Sequence, residues 1–324
     1  MRILFVLLFL AGPALAELPP NSDAFVAKAV EEYGLQADEV LAVLEEAEYQ
    51  QSIVDAISRP AEGKPWSEYR KIFLTEKRIN DGVIFWKENR DLIAAVSEKL
   101  GVDEDVIVAI IGVETFYGRI TGNYRTIDAL VTLGFYYPQN LKSDRSDFFS
   151  SELLHFLKLA SEEGLPVTEI TGSYAGAMGM GQFMPSSYRE YSVDFDEDGS
   201  RDLWRSTPDV VGSVANYLRR HGWQAGQPVA VRMKASSDAD FKALDNRNYK
   251  PSLTVAEWQE KGFKPVVEIA ADTPAAVLKL EEADRNGYWM VFNNFYVITR
   301  YNRSPRYAMA VFDLSQEIKA GMAQ

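Results

Sequence analysis

The chain has 324 residues, with 47 acidic against 34 basic side chains for a formal net charge of -13, and it contains no cysteine. The charge argues against nucleic-acid or anionic-membrane binding, because long-range repulsion opposes the encounter, and the missing thiols exclude a disulfide framework, a thiolate nucleophile and a lipidated-cysteine anchor. The length suffices for one large domain with insertions or two modest ones, and 12% aromatic residues supply flat apolar faces that suit core packing and sugar rings alike.

Residues 1–16 read as a secretory signal, with Arg2 as the positive start, an apolar run over 3–11, and Ala14-Leu15-Ala16 as a small-x-small cleavage pattern before Glu17. The run is shorter than the ~20 residues a transmembrane helix needs, so a soluble periplasmic chain of residues 17–324 is expected after cleavage. Helical spacing follows over 21–58, where Phe25, Val26, Ala29 and Val30 and then Leu41, Leu44 and Ala47 recur around a loop at Gly34. Pro60, Gly63 and Pro65 interrupt it before Trp66 and Tyr69. The spacing predicts helix again over 75–100, over the segment ending at Gly118, over 147–162 and over 209–221. Strand-like alternation comes late, at 229–233, 265–269 and 288–298, the last read as a hairpin turning at Asn293-Asn294. The final segment, 307–320, begins extended and ends helical. The expected class is mainly α (α+β), with a small β-containing region at about 225–300.

Three stretches carry chemistry. In Ile107-Val-Ala-Ile-Ile-Gly-Val-Glu-Thr-Phe-Tyr-Gly118 a single carboxylate, Glu114, shares a helical face with Ile107, Ile110 and Ile111. Burial and the negative end of a helix capped at Gly118 both favour its protonated form, which makes it a candidate general acid; a frayed, solvated helix end is the alternative. The stretch Gly172-Ser-Tyr-Ala-Gly-Ala-Met-Gly-Met-Gly-Gln-Phe-Met-Pro-Ser-Ser187 lets another chain approach the backbone closely. It lacks the Gly-Lys-Ser/Thr of a phosphate loop and the third glycine of a dinucleotide fingerprint, so no organic cofactor is expected. In Asp194-Phe-Asp-Glu-Asp-Gly-Ser-Arg-Asp202 the acids at positions one, three, five and nine, with Gly199 at six, match the start of an EF-hand loop. Arg205 stands where the closing Glu belongs, and Asp209 is the acid able to close the sphere instead; a solvated acidic turn is the alternative. The two histidines, His155 and His221, lie far apart and outside any metal motif.

Taken together with Ile298-Thr-Arg-Tyr-Asn302, Phe85-Trp86 and Gly212-Ser-Val-Ala-Asn-Tyr217, these segments resemble in order the B-type lytic murein transglycosylases. The resemblance implies a lysozyme-like helical fold and cleavage of the MurNAc-β-1,4-GlcNAc bond of peptidoglycan, with Glu114 as the single acid/base and 1,6-anhydro-MurNAc ends as product. No second acid follows Glu114 at a lysozyme-like position, which fits assistance by the substrate's own N-acetyl group. Carried over as substrate contacts are Ser173, Gln182, Phe183, Tyr301, Asn302 and Tyr307. Structural Ca2+ is expected on Asp194, Asp196, Asp198, the Ser200 backbone oxygen and Asp209, although one residue more than the family spacing precedes Asp209. A second departure is Tyr137-Pro138-Gln139-Asn140, where the family often has Pro-Arg-Arg, removing positive charge from a stem-peptide contact. The expected partners are glycan strands and cell-wall synthesis or hydrolysis complexes, met by a monomer. A hydrolytic muramidase using the same Glu114, or a non-catalytic peptidoglycan-binding protein, is the competing reading.

Overall fold

The computed structural model describes residues 18–59, 63–244 and 249–323; the signal sequence read at 1–16 and the break at Pro60 lie outside them. Three short helices, α1 (Ser22–Tyr33), α2 (Ala37–Glu46) and α3 (Gln51–Ile57), form the entry region. After them come α4 (Trp66–Phe73), α5 (Glu76–Glu88), α6 (Arg90–Leu100) and α7 (Glu104–Thr115). The stretch read as one helix over 75–100 is thus two, divided at Asn89, whose side-chain amide donates to the Phe85 carbonyl and closes α5.

Helix α7 is the axis of the molecule. Every residue from Asp105 to Val113 is buried, the pattern of a helix enclosed on all sides rather than a surface helix with one apolar stripe. Ile107, Ile110 and Ile111 are fully covered, each contributing on the order of 1.5–3 kcal/mol through lost apolar exposure. The last helix, α14 (Pro305–Met322), lies antiparallel along it: Tyr307 meets Glu114 at one end and Gln316 meets Asp105 at the other. The beginning of that segment is helical, not extended. The Ser304 hydroxyl accepts the Tyr307 N–H and Pro305 sits in the first turn, an N-cap arrangement that starts the helix at once.

Between these elements run β1 (Tyr124–Arg125), α8 (Thr126–Phe135), α9 (Ser146–Glu163), β2 (Thr171–Gly172), α10 (Pro185–Tyr191) and α11 (Thr207–Arg220). β1 and β2 pair antiparallel, Tyr124 with Gly172, a two-residue ladder too short to show as alternation in sequence. A five-stranded antiparallel sheet follows, built from β3 (Ala230–Ala235), β4 (Leu253–Thr254), β5 (Phe263–Pro265), β6 (Pro274–Glu281) and β7 (Asn286–Val291) in the order β4-β6-β7-β3-β5. Helix α12 (Val255–Glu260) packs on it. Alternation along β6 divides its residues between two cores: Ala275 and Val277 join a local cluster with Trp258, Phe263 and Met290, while Ala276, Leu278 and Leu280 face the main core.

The expected hairpin at 288–298 is corrected. β7 ends at Val291 and α13 (Asn293–Tyr301) begins where the turn was read. Asn293 and Asn294 act through tertiary hydrogen bonds instead: Asn293 donates to the Gly222 carbonyl, and buried Asn294 donates to the Gln224 and Gln227 carbonyls and accepts the Gln224 N–H. Phe295 and Ile298, three residues apart, are fully buried on one helical face. Residues 265–269 are likewise not a strand beyond Pro265, and Val266 and Val267 are half exposed.

Candidate active site

Glu114 stands one residue before the end of α7, half buried, while every neighbour from Asp105 to Val113 is enclosed. The helix stops at Thr115 rather than near Gly118. Phe116 is its C-cap in the left-handed region at φ 54°, and Tyr117 follows at φ 60°. Two consecutive aromatic residues there cost on the order of 1–2 kcal/mol each, so surrounding contacts must hold them. The Phe116 and Tyr117 N–H groups donate to the Gly112 and Ile111 carbonyls. The Tyr117 phenol crosses Gly112 and Gly82, where a Cβ would come within 2.6 and 2.3 Å of its oxygen, and donates to the Arg78 carbonyl at 2.9 Å. The lack of side chains at both glycines is what admits the ring.

Thr115 joins this turn to the Gly/Met loop. Its hydroxyl donates to the Met180 carbonyl at 2.8 Å and accepts the Gly118 N–H at 3.0 Å. The loop is tied again from the other side: Gln182, at φ 51°, donates through its amide to the Thr121 and Gly179 carbonyls, both at 3.0 Å. Ser173 accepts the Ala175 and Ala177 N–H groups on its hydroxyl oxygen, which leaves the hydroxyl proton to donate.

The C-terminal residues close over Glu114. The Tyr307 phenol donates to Glu114 Oε1 at 2.5 Å, and the Tyr301 phenol donates to the Gly181 carbonyl at 2.6 Å. Burial first, then the Glu114 charge, push both phenols well above the ordinary tyrosine range, so both keep their protons. Phe183 is 2% exposed and packs edge-on to Tyr217 and Tyr301 at 5.8 and 5.7 Å. Its ring offers no open face to a sugar and serves to hold Tyr301. Asn302 is half exposed at the end of α13, its side-chain oxygen accepting the Ser304 N–H at 3.1 Å. Thr115, Tyr117 and Tyr217 belong to the same assembly, and Tyr69 lies near enough to Tyr307 to help raise its pKa; none of the four is singled out as a site residue from sequence.

In the acidic loop, Asp194, Asp196 and Asp209 converge so that one oxygen from each lies within 4.8 Å of the others. Asp209 is fully buried at the start of α11, accepting the Phe195 N–H on one oxygen and the Asp202 N–H on the other, each at 2.8 Å. Burial, followed by the charges of Asp196 and Asp194, raises its pKa. Three crowded carboxylates of this kind fit a hard cation, which would replace mutual repulsion with coordination. Asp198 stands outside the trio and accepts the Ser200 N–H and hydroxyl at 2.9 and 3.0 Å; Asp202 accepts the Trp204 and Arg205 N–H groups. The histidines are packing residues: His155 lies against Arg189 and Tyr33, and His221 stacks on Tyr217 at 4.2 Å.

A buried central helix ending on one carboxylate, covered by tyrosines and faced by a glycine-rich loop, defines an enzyme of lysozyme-like fold. The family described as the transglycosylase SLT domain matches residues 19–316, and the chain belongs to that family. Over 315 residues it is 38% identical to membrane-bound lytic murein transglycosylase B of Escherichia coli (strain K12), covering 94% of this chain and 84% of the relative. Catenated lytic transglycosylase SltB1 from Pseudomonas aeruginosa superposes with a TM-score of 0.86 at 43% identity, over 94% and 98% of the two chains. Slt35 of Escherichia coli in complex with calcium gives 0.83 at 38%, over 94% and 95%. SltB3 from Pseudomonas aeruginosa in complex with NAG-NAM-pentapeptide gives 0.80 at 32%, over 93% and 79%. The enzyme class is therefore that of the peptidoglycan lytic transglycosylases.

Proposed function

We propose that the chain cleaves the MurNAc-β-1,4-GlcNAc bond with Glu114 as its sole acid/base, leaving 1,6-anhydro-MurNAc ends. The observation that carries this reading is the Tyr307–Glu114 hydrogen bond of 2.5 Å. A phenol that keeps its proton fixes the Glu114 carboxyl group in place for proton transfer to the glycosidic oxygen. What the structure sets beside Glu114 are phenols, Tyr307 and Tyr301, so the positive charge developing at the muramyl C1 is met by the substrate's own acetamido oxygen. The same carboxylate then takes the proton from the muramyl C6 hydroxyl, whose oxygen bonds to C1 and closes the anhydro ring. Ser173, Gln182, Tyr301 and Asn302 line the approach as substrate contacts, and Phe183 supports Tyr301 from behind. Purified sacculi incubated with the protein should release soluble glycan; a protein that sediments with sacculi and releases none would be a binding protein instead.

Tyr307→Phe removes the donor and keeps the ring. Loss of a hydrogen bond to a charged group costs about 1.5–3 kcal/mol, so kcat is expected to fall roughly tenfold or more while KM changes little. A variant with wild-type kcat would show that the phenol does not position the acid.

The reading includes Ca2+ held by Asp194, Asp196 and Asp209, with Asp198 and the Ser200 carbonyl completing the set from the same loop. The ion would tie the loop to α11 and take no part in bond cleavage. Ligand at a hundredfold its Kd adds about 2.7 kcal/mol, which for a chain of this size is worth about 5 °C in Tm. Calcium returned to chelated protein should produce that rise, and Asp209→Asn should abolish it. A melting curve indifferent to both treatments would leave the loop as an acidic turn. Export and cleavage after Ala16 belong to the same proposal and place the enzyme in the periplasm; no described helix is long and apolar enough to cross a membrane.

A further inference from the structure

Glu152 is a buried carboxylate that takes no part in the bond cleavage. It lies in the middle of α9, 4% exposed, with Phe149, Leu153 and Phe156 enclosed around it. Burial raises its pKa, and the hydrogen bonds it accepts from Ser186 partly offset that. Oε2 accepts the Ser186 N–H at 2.9 Å and Oε1 accepts the Ser186 hydroxyl at 2.7 Å. No cation among the described residues pairs with it, so the two bonds to Ser186 are what compensates its desolvation. Helix α10 begins at Pro185 with Met184 as its N-cap, a residue with no side-chain oxygen to offer. An acid from a different helix satisfies the backbone N–H there instead.

Ser186 is where the Gly/Met loop leaves the site. Three residues before it, Phe183 exchanges two backbone hydrogen bonds with Met178, at 2.9 and 3.0 Å, and its ring packs on Tyr301. The front of the loop is held at Met180 by Thr115 of α7 and at Gly181 by Tyr301 of α13. Glu152 supplies the rear hold from α9, and Met184 and Pro185 alone separate Phe183 from Ser186. The fixed φ of proline makes that link stiff as well as short. A shift at Ser186 is therefore passed to Phe183 and, across its paired backbone, to the loop that carries Ser173 and Gln182. Glu114 and Tyr307 stand on other helices, α7 and α14. We propose that Glu152 is a positioning residue for substrate binding, its two bonds to Ser186 setting the place of the loop that contacts the glycan. The proposal rests on the reading of Ser173 and Gln182 as substrate contacts.

The test measures KM and kcat of the full mature chain on soluble peptidoglycan fragments. Glu152→Leu keeps the bulk and the burial but offers no acceptor. It should raise KM about tenfold, the scale of a lost hydrogen bond to a charged group, and keep kcat within about twofold of wild type. Glu152→Gln should restore KM, because its amide oxygen accepts the Ser186 N–H and its amide nitrogen donates to the hydroxyl oxygen. A role confined to fold stability would move Tm without this split or this rescue. Ser186→Ala, which also serves if the Leu variant does not fold, should raise KM about threefold by itself and add nothing in the Glu152→Leu background. A folded Glu152→Leu with wild-type KM, a Ser186→Ala with wild-type KM, a loss confined to kcat, or a Gln variant no better than Leu overturns the proposal. Ser173→Ala separates the two readings. KM raised there but unchanged in Glu152→Leu ends the positioning role alone, whereas KM unchanged in Ser173→Ala removes the substrate-contact reading and this proposal with it.

Discussion

Glu114→Gln is expected to lower turnover on purified peptidoglycan by at least ~100-fold, the scale of lost general acid-base catalysis, while leaving the fold intact. The amide is nearly isosteric and its oxygen can still accept the Tyr307 hydrogen bond of 2.5 Å, so α7 and α14 keep their contact at the site. What the amide lacks is a proton to give and a basic oxygen to receive one. Circular dichroism and Tm should match wild type, because Glu114 sits at the half-exposed end of a helix whose stability comes from Asp105–Val113 and their neighbours. A variant that solubilises sacculi at near wild-type rate would show that another group is the acid.

How far the sequence revealed this site depended on what each residue does. Helices with sustained 3.6-residue spacing were legible: the expected 147–162 and 209–221 are α9 at Ser146–Glu163 and α11 at Thr207–Arg220. Glu114 was legible because a lone carboxylate in an apolar run is expensive to bury without a purpose. The details around it were not. Gly118 looked like the cap, but Thr115 and the paired backbone bonds end the helix earlier, and aromatic residues at positive φ leave no trace in composition. Asn293-Asn294 carried a turn signal that tertiary hydrogen bonds to residues 222–227 override. The extended start expected at 307 is overridden by Ser304 and Pro305, whose N-cap bond and first-turn position begin α14 ahead of it. In the acidic loop, spacing identified the acids, yet only the structure separates the converging trio of Asp194, Asp196 and Asp209 from Asp198.

The central claim is that the bond is broken without water, and it is decided at the muramyl end of the product. In the proposed mechanism Glu114 stands beside the phenols of Tyr307 and Tyr301, and the acetamido group and the C6 hydroxyl of the substrate take the parts that a second carboxylate and a water play in a hydrolase. The direct measurement is mass spectrometry of muropeptides released from purified peptidoglycan in ¹⁸O-labelled water, before and after borohydride. The account predicts 1,6-anhydro-MurNAc ends, one water lighter than reducing ends, unlabelled and unaltered by borohydride. Reducible muramic ends carrying one ¹⁸O would contradict it and make the protein a muramidase.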